Sequence, residues 1–161
     1  MIESRFLDAL HKIHARLMDC RIPWAVTGSL GMALQGMEIE VHDVDIQTDK
    51  PGAYEIERRF FEFVVKPVHF LASERIRSHF GALEMDGIKV EIMGDIQKLL
   101  DDQTWEEPVK VEQHRCWVGI EGMQIPVLSM RYEYQAYLKM GRTEKAEKMK
   151  KWLQENNGVN L

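Results

Sequence analysis

In this 161-residue chain, Asp43-Val44-Asp45-Ile46 is the segment whose residue types and spacing point most directly to chemistry. On an extended strand, residues i and i+2 leave the same face, about 6.6 Å apart along the chain. Asp43 and Asp45 then project together, while Val44 and Ile46 anchor the opposite face in a core. Like charges held close together repel, so a rigid strand that presents two of them calls for a cation. Ligation by oxygen alone suits Mg²⁺ or Mn²⁺ better than Zn²⁺. The competing reading is a solvent-facing strand with two ordinary acids.

Two further features add to the pair. Val90-Glu91-Ile92 sets one acid between apolar neighbours, just after Asp86-Gly87, a two-residue hairpin signal flanked by Phe80–Met85 and Ile88–Met93. If that strand lies beside the first, Glu91 joins Asp43 and Asp45 on one face, and three carboxylates suffice for two metals about 3.5–4 Å apart. Gly28-Ser29 follows the apolar run Trp24-Ala25-Val26 and precedes a short helix. A glycine there lets the backbone close on a ligand, and a helix start offers free N–H groups to phosphate. A plain turn with Ser29 as helix cap is the simpler alternative.

The elements that must carry these residues follow from periodicity. Ile2, Phe6, Leu10, Ile13 and Leu17 mark an amphipathic helix over 2–20, ended by Pro23. The strand at Trp24-Ala25-Val26 leads to a helix over 30–34, closed by Gly36. Val41 to Thr48 alternates as a strand, Pro51-Gly52 reads as a turn, and 53–61 as a helix. Extended chain is expected around Pro67, at 109–111, and over 116–128 with a turn at Glu121-Gly122. Pro126 argues against a central strand there. Two helices, 130–140 and 143–156, are separated by Gly141. This order predicts an α+β (mixed α/β) plan in one domain over 1–161, not a regular parallel βαβ chain.

Charge and composition narrow the function. The net charge of −5 divides unevenly: residues 1–130 carry −8 and residues 131–161 carry +3. An acidic body argues against broad duplex DNA binding, and the basic tail suits an anion or a solvated helical face. No run of about 18 apolar residues is present, so no membrane span is expected. Met1-Ile2-Glu3-Ser4-Arg5 lacks the pattern of a signal peptide. Cys20 and Cys116 match no metal or redox spacing, which points to reduced thiols and a cytoplasmic protein. His42 alternates away from Asp43 and reads as a core or hinge residue. His11 and His14 read as a solvated helix face, and Tyr132, Tyr134 and Tyr137 as packing or rim residues.

In order, Val26-Thr27-Gly28-Ser29, Asp43-Val44-Asp45-Ile46 and Val90-Glu91-Ile92 resemble the signature of the nucleotidyltransferase fold, the DNA polymerase beta superfamily. The likeness spans roughly residues 24–93. It is nearest to small prokaryotic nucleotidyltransferase-like proteins, and more distant from lincosamide and aminoglycoside nucleotidyltransferases. The resemblance implies a mixed sheet flanked by helices and transfer of an NMP from an NTP to a hydroxyl acceptor. It implies Mg²⁺ (or Mn²⁺) on Asp43, Asp45 and Glu91, with Glu91 taking the acceptor's proton. Gly28 and Ser29 would hold triphosphate oxygens, and Lys139 with Arg142 or Lys145 would neutralise phosphate. The acceptor, a small molecule, RNA or protein, would need a small site or one supplied by a second subunit or partner protein. The alternative is a non-catalytic descendant that binds a nucleotide or a partner, which the Lys- and Arg-free stretch 32–42 favours.

Overall fold

The computed structural model describes residues 1–157, so the last four residues of the expected domain lie outside the described residues. Its centre is a seven-stranded mixed sheet in the order β3-β4-β5-β2-β1-β7-β6. The strands are β1 (Trp24–Thr27), β2 (Val44–Thr48), β3 (Val64–Ala72), β4 (Ile76–Met85), β5 (Ile88–Lys98), β6 (Arg115–Ile120) and β7 (Met123–Leu128). The helices are α1 (Ser4–Leu17), α2 (Gly28–Leu34), α3 (Lys50–Arg59), α4 (Met130–Lys139) and α5 (Thr143–Asn157). The mixed α+β expectation therefore holds.

Alternation sorts the sheet into two faces. Val26 of β1, Val44 and Ile46 of β2, and Val90 and Ile92 of β5 are wholly buried in one cluster. Phe6, Leu10 and Ile13 of α1 and Ile56 of α3 pack into the same cluster, so the three- and four-residue spacing read in α1 is its core stripe. Behind the sheet, α2, α4 and α5 share a second cluster that includes Met32, Met130, Tyr134, Met149 and Leu153.

Two tight hairpins match their turn chemistry. Asp86 and Gly87 both take positive φ, +51° and +81°, as do Glu121 and Gly122 at +48° and +79°. A two-residue loop of this hand suits the right-handed twist of the flanking strands. A Cβ on Gly87 would meet nothing within 4 Å, so Gly87→Ala carries only a backbone penalty. The expected loss is about 1 kcal/mol of stability by urea denaturation, and an unchanged midpoint would contradict the turn.

Several boundaries differ from the expectations. Pro51 and Gly52 are not a turn but the first turn of α3, where Pro is tolerated because that N–H has no helical partner. Asp49 caps this helix, accepting from Gly52 N–H at 2.7 Å. Ser29 does not cap α2. The helix begins at Gly28 with Thr27 at the cap position, and Ser29 Oγ instead accepts from His42 N–H at 3.3 Å. Residues 109–111 are not a strand, and Val111–Gln113 is a 3-10 turn. Pro67 sits on edge strand β3, where a missing donor is harmless. Pro126 lies in β7, one strand in from the edge. It is accommodated because the β1–β7 ladder registers only at Val26↔Val127. Gly141, with φ +73°, closes α4 and turns the chain into α5.

Candidate active site

The sheet order brings the acids together. β1 pairs antiparallel with β2, setting Thr27 opposite Asp45, and β2 pairs in parallel with β5, setting Asp45 beside Glu91. Cross-strand partners share a face, so Thr27, Asp45 and Glu91 lie on the face away from the α1/α3 core. Asp43 does not share the strand with Asp45. It lies one residue before β2, half-buried in the incoming loop. His42 is exposed in that loop rather than a core residue, because the strand starts three residues later than alternation suggested.

Gly28 closes the site at the end of β1. Its φ is +68°, a left-handed conformation that favours glycine, and a Cβ there would overlap Asp45 Oδ2. The backbone of the Thr27–Gly28 turn and the Asp45 carboxylate are thus packed directly on one another.

The electrostatics show strain in negative charge. The Asp45 carboxyl is pushed up to about 7, first by burial, then by the charges of Glu91 and Asp43. Lys89 partly offsets this with its amine 3.0 Å from Glu91 Oε1, and that pairing holds the Lys89 amine above its ordinary range. Among the described residues, no three His, Cys, Asp or Glu side chains are already drawn together at metal-binding distance. The donor set still suits a hard cation: three carboxylates, one of them disfavoured as an anion by its surroundings.

The basic residues divide. Arg142 and Lys145 stack over the Tyr137 ring at 5.6 and 6.0 Å. The Tyr137 hydroxyl is pushed up to about 12 by burial, then by Glu133, with Asp45 also contributing, which sets this corner near the acids. Lys145 also lines a small pocket of about 310 Å³ with Ser29, His42 and Lys148. Lys139 places its amine 3.3 Å from Glu106 Oε2 and shares a pocket of about 220 Å³ with Lys98 and Arg142. It borders a cavity of about 1090 Å³ with Lys98, Glu106, His114, Tyr132 and Ala136.

Two residues at the heart of this region were not singled out in the sequence. Glu133 of α4 is 3% exposed and accepts a hydrogen bond from the Thr27 hydroxyl. Its carboxyl is pushed up to about 7, chiefly by burial. The available signal is a carboxylate on the Met130, Glu133, Tyr137 stripe, the side of α4 that is otherwise apolar. Lys98 is 6% exposed, 3.4 Å from Glu106 Oε1, and burial lowers its amine. Asp95, with φ +52°, coincides with a register shift against β4. Such a bulge re-aims the following side chains, and Lys98 ends over the Tyr132 ring.

A mixed sheet carrying a glycine-closed turn, an Asp45–Glu91 pair and flanking helices defines the nucleotidyltransferase fold. The family model for aminoglycoside-2″-adenylyltransferase matches residues 9–152, and the chain belongs to that nucleotidyltransferase family. It is 60% identical to TM1012 of Thermotoga maritima, described as a candidate nucleotidyltransferase, over 97% of each chain with a TM-score of 0.86. Its fold is similar to the lincosamide antibiotic adenylyltransferase LnuA with lincomycin bound, at 15% identity over 83% of this chain and 85% of that one, TM-score 0.55. It is also similar to ANT(2″)-Ia in complex with adenylyl-2″-tobramycin, at 12% identity over 92% and 90%, TM-score 0.60. No match was found among curated proteins. Among the described residues, no helix is long and apolar enough to cross a membrane.

Proposed function

We propose that this protein transfers a nucleoside monophosphate from a nucleoside triphosphate to a hydroxyl of a small polar acceptor. The observation that carries this reading is the half-buried Asp45 carboxylate, set beside Glu91 and against the Gly28 turn. Asp43, Asp45 and Glu91 would hold Mg²⁺ or Mn²⁺, with Glu91 giving up Lys89 to do so. The metal, when bound, would neutralise the crowded carboxylates and supply positive charge to the triphosphate. Gly28 and Ser29 would receive triphosphate oxygens on backbone N–H and hydroxyl groups. Arg142 and Lys145 would balance the remaining phosphate charge from the α4–α5 side, and Glu91 would accept the proton of the acceptor hydroxyl.

The cavity of about 1090 Å³ is large enough for a small-molecule acceptor, and it lies along α4 rather than being lined by Asp43, Asp45 or Glu91. Asp95, Glu107 and Glu112 add carboxylates to its wall beside the Lys98–Glu106–Lys139 group. That lining suits a ligand rich in hydroxyl and amino groups, and Lys139 is assigned to this acceptor side.

Calorimetry with ATP, GTP, CTP and UTP tests the first half of the reading. Binding is expected with Mg²⁺ present and is expected to vanish in excess EDTA, since the acids alone repel phosphate. Equal binding with and without the cation would overturn it. Changing Lys145 to Gln should weaken Mg²⁺–triphosphate binding by about tenfold, the usual worth of a charge-assisted hydrogen bond.

A further inference from the structure

We propose that Glu133 is a positioning residue for nucleotide binding, fixing the Thr27–Gly28 turn against α4 through its hydrogen bond with the Thr27 hydroxyl. The inference rests on the triphosphate reading of that turn and names the group that holds it in shape.

Glycine at φ +68° has no side chain to lock its conformation. The turn must therefore be held by its neighbours. Asp45 packs against Gly28 from the sheet side, and Thr27, 5% exposed and paired with Asp45 in the β1–β2 ladder, is the residue immediately before it. The Thr27 hydroxyl donates to Glu133, which reaches it from α4, 106 residues along the chain. The nearby Gly28 N–H also favours the charged form of Glu133.

An acid in this position is an expensive choice for stability alone. A buried carboxylate costs desolvation, and an apolar side chain of similar volume usually packs at least as well. Here the carboxylate also faces repulsion from Asp45 and is only partly offset by Lys98. What it supplies that an apolar residue cannot is a directional acceptor for Thr27. The bond ties the orientation of the Gly28-Ser29 backbone to the seating of α4, the helix that leads into Arg142 and Lys145. The two sides of the phosphate site are thereby set in register.

The test compares affinities for Mg²⁺ with ATP, GTP, CTP and UTP in folded parent and variant proteins. Thr27→Val removes the donor at nearly constant volume and should weaken binding by about tenfold, while Thr27→Ser should stay within about twofold of the parent. Glu133→Gln and Glu133→Met are both neutral, so comparing them separates the hydrogen bond from the charge. The Gln variant, which keeps an acceptor, should bind about tenfold more tightly than the Met variant. Rescue by Ser and by Gln is the pattern that a purely structural role would not give. If Glu133→Met fails to fold, the Thr27 pair decides alone. Parent-like affinity in Thr27→Val would overturn this inference while leaving the functional reading intact. Absence of triphosphate binding by the parent would overturn both.

Discussion

Replacing Asp45 with Asn is expected to stabilise the cation-free protein by about 1–3 kcal/mol at pH 8, by about a third of that at pH 5 and by almost nothing below about pH 4. The parent carboxyl sits at about 7 in the folded state because of burial, Glu91 and Asp43, against about 3.9 when unfolded. Between pH 4 and pH 7 the unfolded chain has already released a proton that the folded chain keeps. The stability contributed by Asp45 is therefore complete below about pH 4 and is lost as pH rises through 7. Asn has nothing to titrate, so the variant lacks this share of the decline. Glu133, also raised to about 7, leaves a residual slope in both proteins. Added Mg²⁺ should reverse the ranking, since a ligand that binds only the folded state stabilises it and the variant has lost a carboxylate from the set. Denaturation of both proteins from pH 4 to 8, in EDTA and in rising Mg²⁺, gives all four comparisons. An identical Mg²⁺ response in parent and variant would remove Asp45 from the metal site.

The change Ile46→Ala should cost about 2–5 kcal/mol, the range for a buried Ile truncated in a core that collapses only partly. Ile46 is wholly buried on β2, between Val26 of β1 and Ile92 of β5. Helices α1 and α3 cover that face, so little can move in to fill the space. Its side chain leaves the strand opposite Asp45, so the folded fraction should retain its affinity for Mg²⁺–triphosphate. Urea denaturation should show a lower midpoint with an unchanged slope. A loss below about 1 kcal/mol would mean that β2 is not anchored from behind.

Local patterns determined the elements of this protein. The apolar stripe of α1, the alternation of Val44 and Ile46 around Asp45, and the positive-φ pairs Asp86-Gly87 and Glu121-Gly122 each encode their structure within a few neighbouring residues. Periodicity and turn chemistry act over that same range. The Gly28-Ser29, Asp43/Asp45 and Glu91 motifs were legible for the same reason, as short segments that resemble a known signature. Tertiary structure decided how they meet. No local rule states that β5 runs in parallel beside β2, which is what sets Glu91 next to Asp45. Nor could spacing show that Lys139 pairs with Glu106 at the large cavity while Arg142 and Lys145 gather at Tyr137. Glu133 and Lys98 are ordinary surface-type residues in a linear reading. Their burial arises only because α4 closes over β1 and a bulge at Asp95 re-aims the end of β5, bringing together groups far apart in sequence where water no longer screens them.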